Sequence, residues 1–207
     1  MIPHRVPFFI PLLYPSLVWR MPAGSKSVYL TFDDGPIPGP TEFVLDELRN
    51  FGVKATFFCI GDNVRKHPGV FSRIVTEGHT VGNHTFNHLS GWGSDDVHYL
   101  DNIEKFENIV ADKMVSSRLF RPPYGRIKRS QIKSLRDFRI IMWDVLAFDF
   151  SKNLRPETCF RKTRDAVRDG SIIVFHDSLK AERNMVYAFP RLVADLLDQG
   201  YSFKTLA

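Results

Sequence analysis

The sequence of 207 residues contains only two cysteines, Cys59 in an apolar run and Cys159 in a predicted helix, and neither belongs to a CxxC pair. The cysteines therefore supply no metal site, and we interpret both as free thiols that fill space in the core. Glycine-rich phosphate loops, internal repeats and low-complexity segments are also missing from the sequence. The missing phosphate loop disfavours a phosphoester hydrolase, and no repeat architecture is indicated.

Charge of one sign is not concentrated anywhere in the chain. The 28 Lys and Arg residues exceed the 23 Asp and Glu residues by a formal net charge of +5. The cations are interleaved with acids, and no nucleic-acid-binding motif accompanies them, so we expect a solvated surface and no nucleic-acid partner. The chain length and the ordinary apolar fraction predict one globular domain with a substantial core.

Residues 1–22 are mostly apolar and superficially resemble a secretory signal peptide, but they are too short for a transmembrane helix. Pro7, Pro11 and Pro15 argue against a continuous helix, and no small-x-small cleavage site precedes the first predicted strand. We expect residues 1–22 to form an ordered arm packed on a domain of residues 23–207, in preference to an anchor at a membrane surface. This interpretation favours the cytoplasm or its membrane surface over export.

After the arm, short β-branched and aromatic runs alternate with segments of helical period, which predicts β-α units around a parallel sheet. Seven strands and about six helices suit an α/β fold with a closed or nearly closed barrel; an open doubly wound sheet is the alternative. The predicted strands are 27–32, 54–60, 79–83, 117–121, 139–144, 171–176 and 201–206. The predicted helices are 40–51, 62–77, 95–112, 128–137, 156–169 and 182–199.

Polar clusters follow five of the predicted strands. In either architecture the loops at the C-terminal ends of the strands meet on one face, so five clusters at such ends predict one functional site. The clusters are residues 33–36, 83–84, 121–125, 144–149 and 176–177.

The first two clusters have the composition of a metal site. Adjacent carboxylates such as Asp33 and Asp34 repel each other unless a cation or a proton lies between them, although Asp-Gly is also a common turn. His84 and His88 are four residues apart, a spacing that allows both imidazoles to face one ion. Two histidines and one carboxylate from the acid pair form the ligand set of many hydrolytic zinc sites and of non-haem iron sites.

The later clusters supply groups for acid–base chemistry. Arg121 could orient a general base, and a backbone N–H after the rigid Pro122-Pro123 turn would suit an oxyanion, although a solvated Arg beside a structural turn has the same pattern. His176 follows an apolar strand and could donate a proton to a leaving amine if a carboxylate raises its basicity.

In order along the chain, these motifs resemble the five motifs of the polysaccharide deacetylases, also called the NodB-homology or carbohydrate esterase family four domain. The resemblance spans residues 27–206. The matching segments are Thr31-Phe32-Asp33-Asp34-Gly35-Pro36, His84-Thr85-Phe86-Asn87-His88, Arg121-Pro122-Pro123-Tyr124-Gly125, residues 143–150, and Ile173-Val174-Phe175-His176-Asp177.

The resemblance implies a distorted (β/α)7 barrel in a single domain, an N-acetylated glycan substrate, peptidoglycan or chitin-like, and one divalent ion. Zinc is the expected ion, with cobalt, nickel and manganese as alternatives. Asp34, His84 and His88 are then expected to be the metal ligands, and Asp33 the base that activates water. The other implied roles are Arg121 holding Asp33, the Tyr124 N–H stabilising the oxyanion, His176 protonating the leaving amine and Asp149 tuning His176.

Three positions depart from the family pattern. Leu89 stands where the family often has proline, Leu146 where it usually has an acid, and Phe150 where it usually has tryptophan. Phe150 would still provide an aromatic wall for the acetyl methyl group, and Trp92 could stack on a sugar or pack against the protein. Two rival functions are a metallohydrolase for other small amides or esters and a non-catalytic carbohydrate-binding domain; the presence of both Asp33 and His176 argues against the second.

Overall fold

A computed structural model describes residues 3–111 and 118–206. Residue 117 of the fourth predicted strand and residue 112 of the third predicted helix lie outside the described residues. The described strands are β1 Ser27–Asp33, β2 Thr56–Cys59, β3 Thr80–Asn83, β4 Leu119–Phe120, β5 Arg139–Ile140, β6 Val145–Leu146, β7 Ile172–His176 and β8 Ser202–Phe203. The described α-helices are α1 Phe9–Leu13, α2 Pro40–Phe51, α3 Gly61–Lys66, α4 Pro68–Thr76, α5 Asp96–Ala111, α6 Arg129–Ser134, α7 Pro156–Ala166 and α8 Glu182–Asp198.

The strands form one parallel sheet in the order β5-β4-β3-β2-β1-β7-β6, and β8 pairs with the start of β1. A flat sheet of seven strands would place β5 and β6 about 29 Å apart. Only five peptide units join Ile140 to Val145, which can span at most about 18 Å. The sheet therefore curls, and the predicted distorted (β/α)7 barrel in a single domain is confirmed rather than the open doubly wound sheet.

The core lies on both faces of the central strands. All seven residues of β1 and all four of β2 are buried, as expected for parallel strands covered on both sides. The rings of Phe32 and Phe57 stack with centroids 5.3 Å apart, and Phe189 of α8 packs edge-on against Phe32 at 5.1 Å. Cys59 and Cys159 are buried free thiols, as predicted.

Two predicted elements are each divided in the structure. The predicted helix 62–77 consists of α3 and α4, because Pro68 restricts His67 to a non-helical conformation, φ −126° and ψ 57°. The predicted strand 139–144 contains β5 only at its start, while β6 begins after it at Val145. β5 lies at one edge of the curled sheet and β6 at the opposite edge, so the prediction of one continuous strand over residues 139–144 was wrong.

Residues 3–22 lie across the gap between these two edges. Val18 bridges to Ile141 and Arg20 to Ser171, while Arg5 pairs with Val145 at the other edge. The Leu146 N–H donates to the His4 carbonyl oxygen at 2.8 Å. The division into an arm of residues 1–22 and a domain of residues 23–207 stays a prediction.

Helix α1 and the residue before it present an apolar surface to solvent, formed by Phe8, Phe9, Leu12 and Leu13. Within residues 3–111 and 118–206, no helix has the length and apolar character needed to cross a membrane.

Candidate active site

The register of the sheet brings the polar clusters together at the C-terminal ends of the strands. Asp33, the last residue of β1, pairs with His176, the last residue of β7. Asn83 at the end of β3 pairs with Phe120 at the end of β4, so the next residues, His84 and Arg121, are neighbours as well. The predicted site residues therefore share one edge of the sheet.

Asp34, His84 and His88 form a group of possible metal ligands, with one ligand atom from each lying within 4.8 Å of the others. The Asp34 Oδ1 atom is 3.3 Å from Nε2 of His88 and 3.7 Å from Nε2 of His84. Both imidazoles therefore direct the same ring nitrogen toward one carboxylate oxygen. That oxygen is buried and accepts no hydrogen bond from the described residues, an arrangement a cation at this point would satisfy.

A hydrogen bond at Nδ1 fixes the orientation of the His84 ring. Its Nδ1 lies 2.7 Å from the Arg121 carbonyl oxygen, which can only accept, so Nδ1 donates and the neutral ring presents a lone pair at Nε2. Burial lowers the pKa of His84 to about 4, against the opposing attraction of Asp33. His84 is therefore neutral at physiological pH, the state required of a metal ligand.

Backbone conformation at the site departs from common values. Asp34, Thr85, His88 and Tyr124 all have positive φ, at 85°, 64°, 60° and 61°. Positive φ costs a non-glycine residue about 1–3 kcal/mol and persists where surrounding contacts impose it. Strained residues thus cluster around the possible metal ligands.

Asp33 is held by a buried arginine. Nη1 of Arg121 donates to the Asp33 carboxylate at 2.6 Å and to the Thr31 hydroxyl at 2.8 Å. Burial alone would raise the pKa of Asp33, but the charge of Arg121, with His84 and His176, outweighs it and lowers the pKa. Arg121 is fully buried, so the alternative of a solvated arginine beside a turn is wrong.

His176 is held by a second acid. Its Nδ1 lies 2.8 Å from Oδ1 of Asp149, and its backbone N–H donates to Oδ2 at 2.7 Å. Burial opposes protonation of the ring, but the Asp149 carboxylate outweighs burial and raises the pKa of His176 to about 9. His176 therefore carries a proton at neutral pH.

A cavity of about 450 Å³ joins these groups. Asp33, Asp34, His84, His88 and His176 line it together with Tyr124 and an apolar wall that includes Leu146 and Phe150. Within the described part of the chain, the Tyr124 N–H meets no hydrogen-bond acceptor.

The departures from the family pattern occupy different places. Phe150 packs edge-on against the His176 ring at 5.0 Å, and Leu146 also faces the cavity. Leu89 instead is partly buried against the core and donates its N–H to the Thr85 hydroxyl at 3.0 Å, a bond that proline could not make. Trp92 is 60% exposed, so the packed alternative for this side chain is wrong.

Two residues at the site received no role from the sequence. Asp177 accepts from the Gly35 N–H at 3.0 Å and from the Thr41 hydroxyl at 2.6 Å, and thereby holds the turn that carries Asp34. Its position after His176 in the fifth motif was the available signal. No feature of the sequence pointed to Lys180, which also lines the cavity.

Asp144, the first residue of the fourth predicted cluster, does not line this cavity and is paired with Arg168 at 2.7 Å.

Fold and site together define a hydrolase with a possible metal site at the rim of a β/α barrel. Residues 20–143 match the family model described as polysaccharide deacetylase, and the chain belongs to this family. Members of the family are metal-dependent, and Asp34, His84 and His88 form a possible site for the ion.

The named relatives are deacetylases of N-acetylated glycans. The chain is 33% identical to a peptidoglycan-N-acetylglucosamine deacetylase of Bacillus cereus over 202 residues, covering 92% of this chain and 91% of the relative. It is 35% identical to a chitooligosaccharide deacetylase of Sinorhizobium fredii over 210 residues, covering 93% of this chain and 96% of the relative.

A crystal structure of a peptidoglycan N-acetylglucosamine deacetylase superimposes with a TM-score of 0.88 at 32% identity, covering 97% of this chain and 95% of that chain. The predicted family and enzyme class are confirmed.

Proposed function

We propose that this chain hydrolyses the acetamide of N-acetylated sugar units in a peptidoglycan or chitin-like glycan, releasing acetate and leaving a free amine on the sugar. Asp34, His84 and His88 hold one divalent ion, Asp33 is the general base and His176 the general acid. The named substrates of the relatives support the substrate class.

The observation that carries the proposal is the opposite charge state of two groups in one cavity. Arg121 keeps Asp33 ionised, and Asp149 keeps His176 protonated. Hydrolysis of an amide needs one group that accepts a proton from water and another that gives a proton to the leaving nitrogen. A site that only bound sugar would require neither arrangement.

When bound, a divalent ion supplies a Lewis acid that polarises a carbonyl and lowers the pKa of water. Asp33 accepts the proton of the attacking water as the new C–O bond forms at the acetamide carbon. The Tyr124 N–H donates to the oxygen that becomes negative. His176 then protonates the nitrogen, the C–N bond breaks, and acetate leaves the sugar amine.

We propose zinc as the ion, with cobalt, nickel or manganese as substitutes. Two imidazoles with one carboxylate leave coordination positions for water and substrate, the pattern of catalytic zinc sites. The neutral state of His84 and the unpaired Oδ1 of Asp34 support this ligand set.

The test is acetate release from peptidoglycan, N-acetylglucosamine oligomers and acetylated xylan, with and without a chelator. We expect release from a glycan that carries acetamides, loss of release on chelation and recovery on addition of zinc. Release that persists after complete removal of metal, checked by elemental analysis, would contradict the metal mechanism. Release from small acetamides but from no glycan would favour the rival metallohydrolase.

The variant Asp33→Asn tests which of the two adjacent acids, Asp33 or Asp34, is the base and which is the metal ligand. We expect this variant to bind zinc with the wild-type stoichiometry and to lose turnover by about 10²–10⁴-fold, because the base is gone and the ligands remain. Asp101→Asn, an exposed acid on α5, is the matched control and should change neither quantity. Loss of zinc from Asp33→Asn but not from Asp34→Asn would show that the two acids have the reverse roles.

A further inference from the structure

Arg126 follows Tyr124 and Gly125, which line the cavity. Its guanidinium is 5.5 Å from the centre of the Trp92 ring and 5.9 Å from the centre of the Tyr124 ring. Neither an ion pair nor a side-chain hydrogen bond of Arg126 occurs within residues 3–111 and 118–206. Among the described residues the two aromatic rings are therefore the only partners of the Arg126 guanidinium, and its N–H donors are available.

Two other exposed arginines, Arg65 and Arg164, are paired with acids. Arg65 pairs with Asp62 at 2.7 Å, and Arg164 pairs with Asp165 at 2.8 Å. Guanidinium groups bind carboxylates through two parallel hydrogen bonds, so an arginine without an acid partner next to a substrate cavity is suited to an anionic ligand.

The two rings beside Arg126 are exposed but fixed. Trp92 is 60% exposed and Tyr124 is 62% exposed. Nε1 of Trp92 donates to the Ile127 carbonyl oxygen at 3.1 Å, which sets the plane of the indole. Tyr124 follows Pro122-Pro123 and has a φ of 61°, so its backbone is restrained as well. Exposed aromatic faces that are already ordered bind the apolar faces of sugars at low entropic cost.

Tyr124 connects this surface with the proposed reaction centre. Its ring lies 4.5 Å, centre to centre, from the ring of His88, and its side chain lines the cavity. A sugar placed on Trp92 and Tyr124 would therefore adjoin the unit whose acetamide faces His88.

We propose that Trp92, Tyr124 and Arg126 form a subsite for a carboxylate-bearing sugar next to the unit that is deacetylated. The preferred substrate is then an acidic N-acetylated glycan rather than a neutral oligomer. This inference rests on the proposed function. Trp92 and Tyr124 hold the sugar face, and Arg126 binds the carboxylate and discriminates between the two glycan classes.

The test compares kcat/KM for acetate release on two substrates, an acidic glycan with alternating N-acetylated and carboxylate-bearing sugars, and a neutral N-acetylglucosamine oligomer of equal length. Arg126→Gln is expected to lower the ratio of the two values, acidic over neutral, by about ten-fold, since one charge-assisted contact is lost. Arg191→Gln, a second exposed arginine, 3.9 Å over Tyr187 on α8, is the matched control and should leave the ratio unchanged.

A second arm uses the wild-type chain, so the result does not depend on a variant that folds. Methyl esterification of the carboxylates should lower kcat/KM on the acidic glycan by about ten-fold, and added salt should weaken the preference. An equal loss on both substrates in Arg126→Gln, or no response to esterification, would overturn the subsite. Absence of acetate from both substrates with wild-type protein would instead overturn the proposed function.

Binding provides a readout that does not require turnover. Titration of Asp33→Asn with the acidic glycan should give about ten-fold tighter binding than titration of the double variant that also carries Arg126→Gln. Equal affinities would contradict the role of Arg126 even if the chain proved inactive on both glycans.

Discussion

His84 and His176 lie at the same edge of the sheet, the first buried and the second partly buried, yet His84 is neutral and His176 carries a proton. Nδ1 of His84 faces a backbone carbonyl oxygen, and burial lowers its pKa to about 4. Nδ1 of His176 faces the carboxylate of Asp149, and that charge raises its pKa to about 9 although burial opposes it. A neutral acceptor at Nδ1 leaves the ring neutral, with a lone pair on Nε2 that can bind a metal. A carboxylate at Nδ1 keeps the ring protonated, so that Nε2 can donate a proton.

The difference shows that the partner of Nδ1, not the depth of burial, assigns the role of each imidazole. The His84 side chain is 3% exposed and the His176 side chain 14% exposed, and both lie near Asp33 and Asp34. Exchanging or removing the partners should therefore change the function of each histidine in a predictable direction.

The largest effect is expected from removing the neutral imidazole. His84→Ala should abolish zinc binding and lower acetate release by more than about 10³-fold, because the ligand set loses one of its three members. Elemental analysis and kcat/KM measure the two effects. His98→Ala, an exposed histidine on α5, is the control and should behave as wild type. Retention of zinc with full activity would exclude His84 as a ligand.

A smaller effect is expected from removing the anion behind His176. Asp149→Asn should keep zinc but lower kcat by about 10–10²-fold, because the ring loses the charge that keeps it protonated. In the wild type, activity should fall as pH rises through about 9, the pKa of His176. In the variant this alkaline limit should move to lower pH. A pH profile with an unmoved alkaline limit would show that His176 does not supply the proton.

The raised pKa of His176 also makes the stability of the folded protein depend on pH. The folded-state pKa of His176 is raised from 6.5 to about 9, so its contribution is fully present below pH 6.5 and is lost as pH rises through about 9. The denaturation midpoint of the wild type should decline across that window. Asp149→Asn should show a flatter dependence, measured by urea unfolding at a series of pH values. A decline as steep as that of the wild type would contradict this assignment.

The smallest effect is expected at Asp177, a carboxyl group whose protonation state, like that of the two histidines, is set by its surroundings. Burial, with repulsion from Asp34, raises the pKa of Asp177 to about 8, so this group is protonated at neutral pH. The isosteric variant Asp177→Asn should retain activity within about three-fold, while Asp177→Ala leaves the Gly35 N–H unpaired and should lose about ten-fold. A strong loss in Asp177→Asn would indicate an ionised carboxylate.

Sequence reasoning located the rim of the site because strand ends in a β/α fold converge, and Asp33 and His176 indeed pair in register. It did not reveal the division of residues 139–144 between two sheet edges, because short apolar runs at either edge have the same composition. The contacts of Arg126 and Asp177 could not be predicted from the sequence either, because these side chains contact residues far along the chain or on another loop. Arg121 could not be distinguished from a surface arginine until its burial was known.

The bridges made by residues 3–22 have a practical consequence for work with this protein. Deletion up to residue 22 would take away the partners of Val145, Ile141 and Ser171 and uncover strand edges that can recruit other chains. We therefore expect the shortened protein to aggregate.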